Sequence, residues 1–264
     1  MTSEPNTPRD SEPPTAPPKE VGASAPKTPR DPDFRRWEPR LLELVDGIRV
    51  ATRDALLSSL ASGSERELTR AVAQGAGDIT FGLDVPSETW IRRWHERIGA
   101  DSPLSVLTED SGWNHRGAPG AAFAHGGPRI AIDPVDGTRN LMADLRSAWT
   151  VVSFAPPGAA EPRLGELTGG VVSEIPGSRA ARFRTFLGDG STCRCLERDA
   201  LTGEVVEERH VTVDDDDRVD EGYFPFFRYE PALRPSLARV ERDFFARLAE
   251  HEGANLRKMG RAHV

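Results

Sequence analysis

The sequence holds 264 residues, 37% hydrophobic and 29% charged, with a formal net charge of -8 at pH 7. That length allows one large domain or two of ordinary size, and the acidity excludes a general nucleic-acid polymer binder while leaving room for a cation or for an anionic substrate held through one. No run approaches the ~20 apolar residues of a membrane span, and the start of the chain has neither the apolar core of a secretion signal nor an Arg-rich amphipathic pattern, so a soluble, cytoplasmic protein without membrane partners is expected.

In chain order, residues 1–33 are dominated by Pro, Ser, Thr, Ala, Glu and Lys and predict a disordered tail. From Phe34, the spacing of Trp37, Leu41, Leu44, Val45, Ile48, Ala55 and Leu56 predicts a long amphipathic helix. Gly75 to Asp84 reads as a loop with a short extended piece. Pro86 opens a helix carrying Trp90, Ile91, Trp94 and Ile98, and Gly99 is expected to stop it. Leu104–Leu107 predicts a strand ending at Glu109 and Asp110, and Arg129–Ile132 a second strand ending at Asp133.

A short helix from Thr138 to Arg146, a strand from Trp149 to Ala155 and adjoining strands between Leu167 and Leu187 follow. Pro235–Glu250 has helical periodicity. Interleaved helices and strands predict a layered α/β (α+β) architecture, divided as an N-terminal metal- and phosphate-binding subdomain over residues 34–172 and a partial C-terminal α/β subdomain over 173–264. Cys193 and Cys195 lack the second pair of a structural zinc site and read as reduced thiols, and the acidic run Asp214 to Asp217 reads as a solvated turn.

The chemistry gathers at Asp133-Pro134-Val135-Asp136-Gly137-Thr138. Pro134 cannot donate to a ladder and Gly137 permits left-handed backbone, so a turn there brings two carboxylates toward one point. Such carboxylates repel unless a cation lies between them, and oxygen ligands without His or Cys select Mg²⁺, Mn²⁺ or Ca²⁺. Thr138 falls in the first turn of a helix, which favours phosphate. Glu109 is the natural third ligand. Two ions about 3.5–4 Å apart would have Asp133 as the bridge, with Asp136 and Glu109 at either side.

This segment resembles the signature of the inositol monophosphatase family, which includes bisphosphate nucleotidases and fructose-1,6-bisphosphatases. Asp78-Ile79-Thr80 with Asp84 and Glu88 resembles its upstream Asp-x-Thr…Asp…Glu element, and Leu107-Thr108-Glu109-Asp110-Ser111 its Glu-Glu-Ser element. The resemblance covers about residues 34–172. It implies a layered αβαβα fold, Mg²⁺ as cofactor in two or three ions with Mn²⁺ as a substitute, and Glu109, Asp133, Asp136 and the Val135 carbonyl as metal ligands. It further implies phosphate held by Gly137 and Thr138, a homodimer, and a small phosphorylated substrate. Asp84, hydrogen-bonded to Thr138, would position or deprotonate the attacking water, so that Asp84, Thr138 and Glu109 are the catalytic set.

The expected activity is a Mg²⁺-dependent phosphomonoesterase acting on a small sugar, inositol or nucleotide phosphate. The resemblance also implies a further aspartate in a late Trp-Asp segment that the sequence lacks, so the chain reads as C-terminally truncated. The alternatives are therefore a non-catalytic relative that binds metal or a phosphorylated ligand, or an inactive fragment. Asp84 has a second reading as N-cap of the helix at Pro86. Arg139 is placed for a second phosphate or a local acid, and Arg146 and Arg182 for substrate or solvent. His115, His125 and His210 have no metal-ligand spacing.

Overall fold

The computed structural model describes residues 32–74, 79–109, 111–117, 122–212 and 231–252. Asp78, Asp110, Asp214 to Asp217 and nearly all of the expected tail lie outside them. The chain forms two compact units, residues 1–212 and 213–264. The boundary expected at 172/173 falls inside a strand of the first unit.

The first unit opens with α1, Pro32–Ser62, which takes in the last two residues of the expected tail. Phe34, Trp37, Leu41, Leu44, Val45, Ile48 and Leu56 are all buried, as a single apolar stripe requires. A short helix α2 (Glu65–Leu68) leads to the antiparallel pair β1 (Ala71–Gln74) and β2 (Ile79–Phe81), and then to α3 (Asp84–Asp101). Gly47 brings α1 and α3 together: a Cβ there would lie 1.8 Å from the Trp90 ring. Gly99 does not end α3 as expected. A Cβ on it would lie 2.5 Å from the Arg116 side chain, so its smallness serves close approach, and the helix runs two residues further.

The main sheet has eight strands: β3 (Leu104–Thr108), β4 (Gly112–Arg116), β5 (Arg129–Asp136), β6 (Ala148–Ala155), β7 (Gly169–Ile175), β8 (Arg182–Gly188), β9 (Cys193–Asp199) and β10 (Val205–Val211). Their order is β10-β9-β8-β7-β6-β5-β3-β4. Among the described residues only β3 and β5 pair in parallel. Ile130, Ile132, Val152, Phe154, Val171, Leu187 and Leu196 share one face by register and join the α1 and α3 stripes in one buried cluster. Phe34 meets Phe154 edge-on at 5.5 Å between ring centres. The fold is thus a mixed α/β structure. β4, β9 and β10 were not expected, because Gly-Trp-Asn-His-Arg and the charge-rich later strands carry no apolar alternation.

Cys193 and Cys195 are free thiols on β9. In the second unit, a 3-10 turn (Pro231–Leu233) leads to α5, Arg234–Glu252, where a helix was expected from Pro235 to Glu250. Among the described residues no helix is long and apolar enough to cross a membrane.

Candidate active site

The parallel pair β3–β5 decides where two of the acids go. Thr108 of β3 lies opposite Ile132 of β5, so the next residue in each chain, Glu109 just past the end of β3 and Asp133 still within β5, comes at the same end of this pair. Glu109 stands exposed in the β3–β4 turn, where the Thr108 and Ser111 hydroxyls are 2.7 Å apart.

The expected turn after Ile132 is a bulge inside a longer strand. β5 continues to Asp136, and between the pairs Asp133–Val151 and Asp136–Trp149 it carries one residue more than β6. Two bonds hold this bulge: the Val135 N–H donates to Asp133 Oδ1 at 3.2 Å, and the buried Thr150 hydroxyl on β6 donates to the Pro134 carbonyl at 2.9 Å. Pro134 brings no N–H, so the ladder loses nothing there. Gly137, with φ 97°, then turns the chain into α4, Thr138–Met142. This is the left-handed backbone its lack of Cβ permits. The helix ends before the expected Arg146, and Asp144 follows with φ 47°. Its carboxylate accepts the Ser178 N–H at 2.7 Å and the Ser178 hydroxyl at 2.5 Å, which fixes the chain leaving α4 to the β7–β8 connection.

Asp84 and Thr138 meet although 54 residues separate them. The Thr138 hydroxyl lies 3.0 Å from Asp84 Oδ1 and 2.8 Å from the Val135 carbonyl, so its single proton serves one acceptor at a time. Asp84 Oδ2 accepts the Phe81 N–H at 2.8 Å. The N-cap reading of Asp84 is therefore corrected: α3 begins at Asp84 itself, its N-cap is Leu83 without a side-chain bond, and the carboxylate reaches back to Phe81 and across to Thr138. Arg139 sets its guanidinium 5.8 Å from the Phe81 ring centre, over the same corner. Arg182 ion-pairs with Asp199 at 3.8 Å on β8 and β9.

The acids lie near enough to act on one another's charge. Burial, then the carboxylates of Asp136 and Glu109, and more weakly Asp84, push the Asp133 carboxyl up to about 6, against the Val135 N–H that favours its charge. Among the described residues no group of three or more His, Cys, Asp or Glu side chains is gathered closely enough to hold an ion. In kind the donors fit a hard divalent cation, since they are carboxylates without His or Cys and their mutual repulsion is the feature a cation would relieve. Thr150 and the Phe81 N–H, which brace the Pro134 carbonyl and Asp84, carry no sequence signal: a Thr in an apolar strand reads as packing.

No family model matches the chain, and no curated protein matches it. Among solved structures, the holo form of Leishmania major fructose-1,6-bisphosphatase matches with a TM-score of 0.50 and 18% identity, over 69% of this chain and 55% of that one. The T-state of that protein gives a TM-score of 0.42 at 15% identity, over 74% and 54%. Inositol monophosphatase II from Staphylococcus aureus MSSA476 gives 0.42 at 13% identity, over 79% and 63%. The chain spans about half the length of the fructose-1,6-bisphosphatase chains it matches. At this identity the likeness is one of fold alone: over the matched part, the chain shares the mixed α/β architecture of the Leishmania major fructose-1,6-bisphosphatase structure.

Proposed function

We propose that this chain is a metal-dependent phosphomonoesterase for a small sugar, inositol or nucleotide phosphate. The observation that carries the reading is the Thr138–Asp84 contact beside the repelling acids around Asp133. Glu109, Asp133, Asp136 and the Val135 carbonyl would hold Mg²⁺, with Mn²⁺ as a substitute. When bound, such ions polarise a phosphate ester and lower the pKa of coordinated water.

The chain's own residues do the rest. Asp84, oriented by the Phe81 N–H, takes the Thr138 proton and leaves Thr138 Oγ1 as an acceptor for a proton from the attacking water. Gly137 and Thr138 supply phosphate contacts at the start of α4, and Thr150 and the Asp133–Val135 bond keep the bulge in shape. The test is phosphate release as a function of Mg²⁺ over inositol, sugar and nucleotide phosphates. No turnover with any substrate or divalent ion overturns the reading.

The second reading is a relative that binds metal or a phosphorylated ligand without hydrolysis. It is favoured by the exposed Glu109 and by acids that are near one another without forming a gathered ligand set. Calorimetric binding with no phosphate release distinguishes it from the first.

A further inference from the structure

We propose that Arg49, Thr52 and Arg53 on α1, backed by Arg198 on β9, form an anion site for a phosphate-type dianion, separate from the acidic corner. Arg49, Arg53 and Arg198 are exposed by only 5%, 8% and 8%, and Thr52 by none of its surface. Along α1, Thr52 is three residues and Arg53 four residues beyond Arg49, the spacings that share a helix face.

The guanidiniums of Arg49 and Arg198 lie close together. They rest on the same ring, 4.6 and 5.1 Å from the centre of Phe183. A Cβ on Gly203, in the β9–β10 turn, would lie 3.0 Å from Arg49 Nη2 and 3.7 Å from Arg198 Nη2. Arg53, buried one helical turn beyond Arg49, belongs with them by its place on α1, and burial, then Arg198 and Arg53, lower the Arg49 pKa from its ordinary value against the pull of Asp46.

The cluster is short of negative charge. Arg198 takes both oxygens of Asp46, at 2.7 and 2.8 Å, and donates to the Gly203 carbonyl at 2.8 Å. Arg49 approaches Asp46 only at 3.7 Å and the Ala200 carbonyl at 3.5 Å. Among the described residues Arg53 has no acceptor or ion-pair partner, and Arg49 Nε, Arg53 Nε and the Thr52 hydroxyl are buried without hydrogen-bond partners. One carboxylate thus answers three buried guanidiniums. A buried charge of that kind is costly unless matched, and a compact dianion matches both the charge excess and the open donors. Guanidinium forks and a hydroxyl are the donors a tetrahedral phosphate takes.

The test is thermal unfolding of the full chain in chelator, so that no divalent ion engages the acidic corner. Anion binding to the native state raises Tm; about 5 mM inorganic phosphate is compared with chloride at equal ionic strength. The expected result is a rise of several degrees in the wild type and in Asp133→Asn, and none in Arg53→Met, whose Tm in chloride is at or above wild type because an unmatched charge is gone. Glycerol phosphate in a parallel arm tells an esterified phosphate, which would raise Tm equally, from the free ion, which alone would. A wild type that ignores both, or an Arg53→Met that responds as fully as wild type, overturns the proposal. If Arg53→Met fails to fold, calorimetric titration of the wild type with phosphate and Thr52→Val decide it: absence of binding heat in the wild type, or undiminished affinity in Thr52→Val, is the contrary result.

Discussion

The Thr138 hydroxyl lies 3.0 Å from Asp84 Oδ1, which ties the first residue of α4 to the first residue of α3. Because the other Asp84 oxygen is held by the Phe81 N–H, the pair is an oriented donor and acceptor beside the β5 bulge that follows Asp133. Thr138→Ala and Asp84→Asn should each lower kcat on the order of 10²- to 10⁴-fold, as loss of a positioned acid–base group does. KM should change little, and Thr138→Ser should recover much of the rate. Steady-state kinetics on the three variants checks this; equal losses in Ser and Ala would mean that the hydroxyl does not act in the proton path.

Thr150 tests the frame of the bulge. Its hydroxyl is buried and donates to the Pro134 carbonyl at 2.9 Å, so Thr150→Val keeps the shape and leaves a buried acceptor without that donor. The expected cost is about 1–3 kcal/mol in urea unfolding. The same variant should need more Mg²⁺ for half-maximal rate, since Pro134 lies between two of the acids. A stability loss with an unchanged Mg²⁺ requirement would separate the bulge from the ion.

Gly137 is tested by Gly137→Ala. A Cβ has room, with its nearest neighbour, Ala148 Cα, at 3.6 Å, so the penalty comes from φ 97° alone. About 1–2 kcal/mol of stability should be lost.

Two groups give opposite pH dependences in metal-free protein. Burial lowers His95 to about 4 from 6.5, opposed by the Leu104 backbone bond and helped by Arg116 and His115. The unfolded chain therefore binds more protons between these values, and stability is full above pH ~6.5 and falls as pH drops toward 4, by up to about 3 kcal/mol. Asp133 is raised to about 6 from 3.8, so there the native state binds more protons and stability falls as pH rises from about 4 to 6. The two slopes largely offset. Asp133→Asn should leave the His95 slope exposed and, at pH ~8 in chelator, raise stability by about 1–2 kcal/mol. Denaturation of both proteins across pH 4–8 reads this out; a variant that is no more stable at alkaline pH would show that the acids do not repel one another.

Much of the frame is legible in the sequence where packing periodicity writes it. The α1 stripe from Phe34 to Leu56 and the strand Ala148–Ala155 follow directly from apolar spacing. The position of Glu109 just past β3 is legible too, from the apolar run before it, whereas Asp133, expected at the end of its strand, lies inside β5, which runs on to Asp136. What the sequence does not carry is tertiary. Whether Asp133 to Asp136 form a turn or a bulge depends on Thr150 of β6, and the placing of Gly99 depends on Arg116 of β4. Arg49, Thr52 and Arg53 look like the solvated flank of an amphipathic helix, yet all three are buried, Arg49 against the turn after β9.

The most direct test of the central claim is phosphate release by the wild type and by Asp133→Asn, measured side by side against Mg²⁺ on a panel of small phosphomonoesters. The predicted result is Mg²⁺-dependent turnover of at least one ester by the wild type and a loss on the order of 10³-fold or more in the variant, as removal of an ion ligand implies. Turnover that persists in chelator, or an Asp133→Asn variant as active as the wild type, would contradict it.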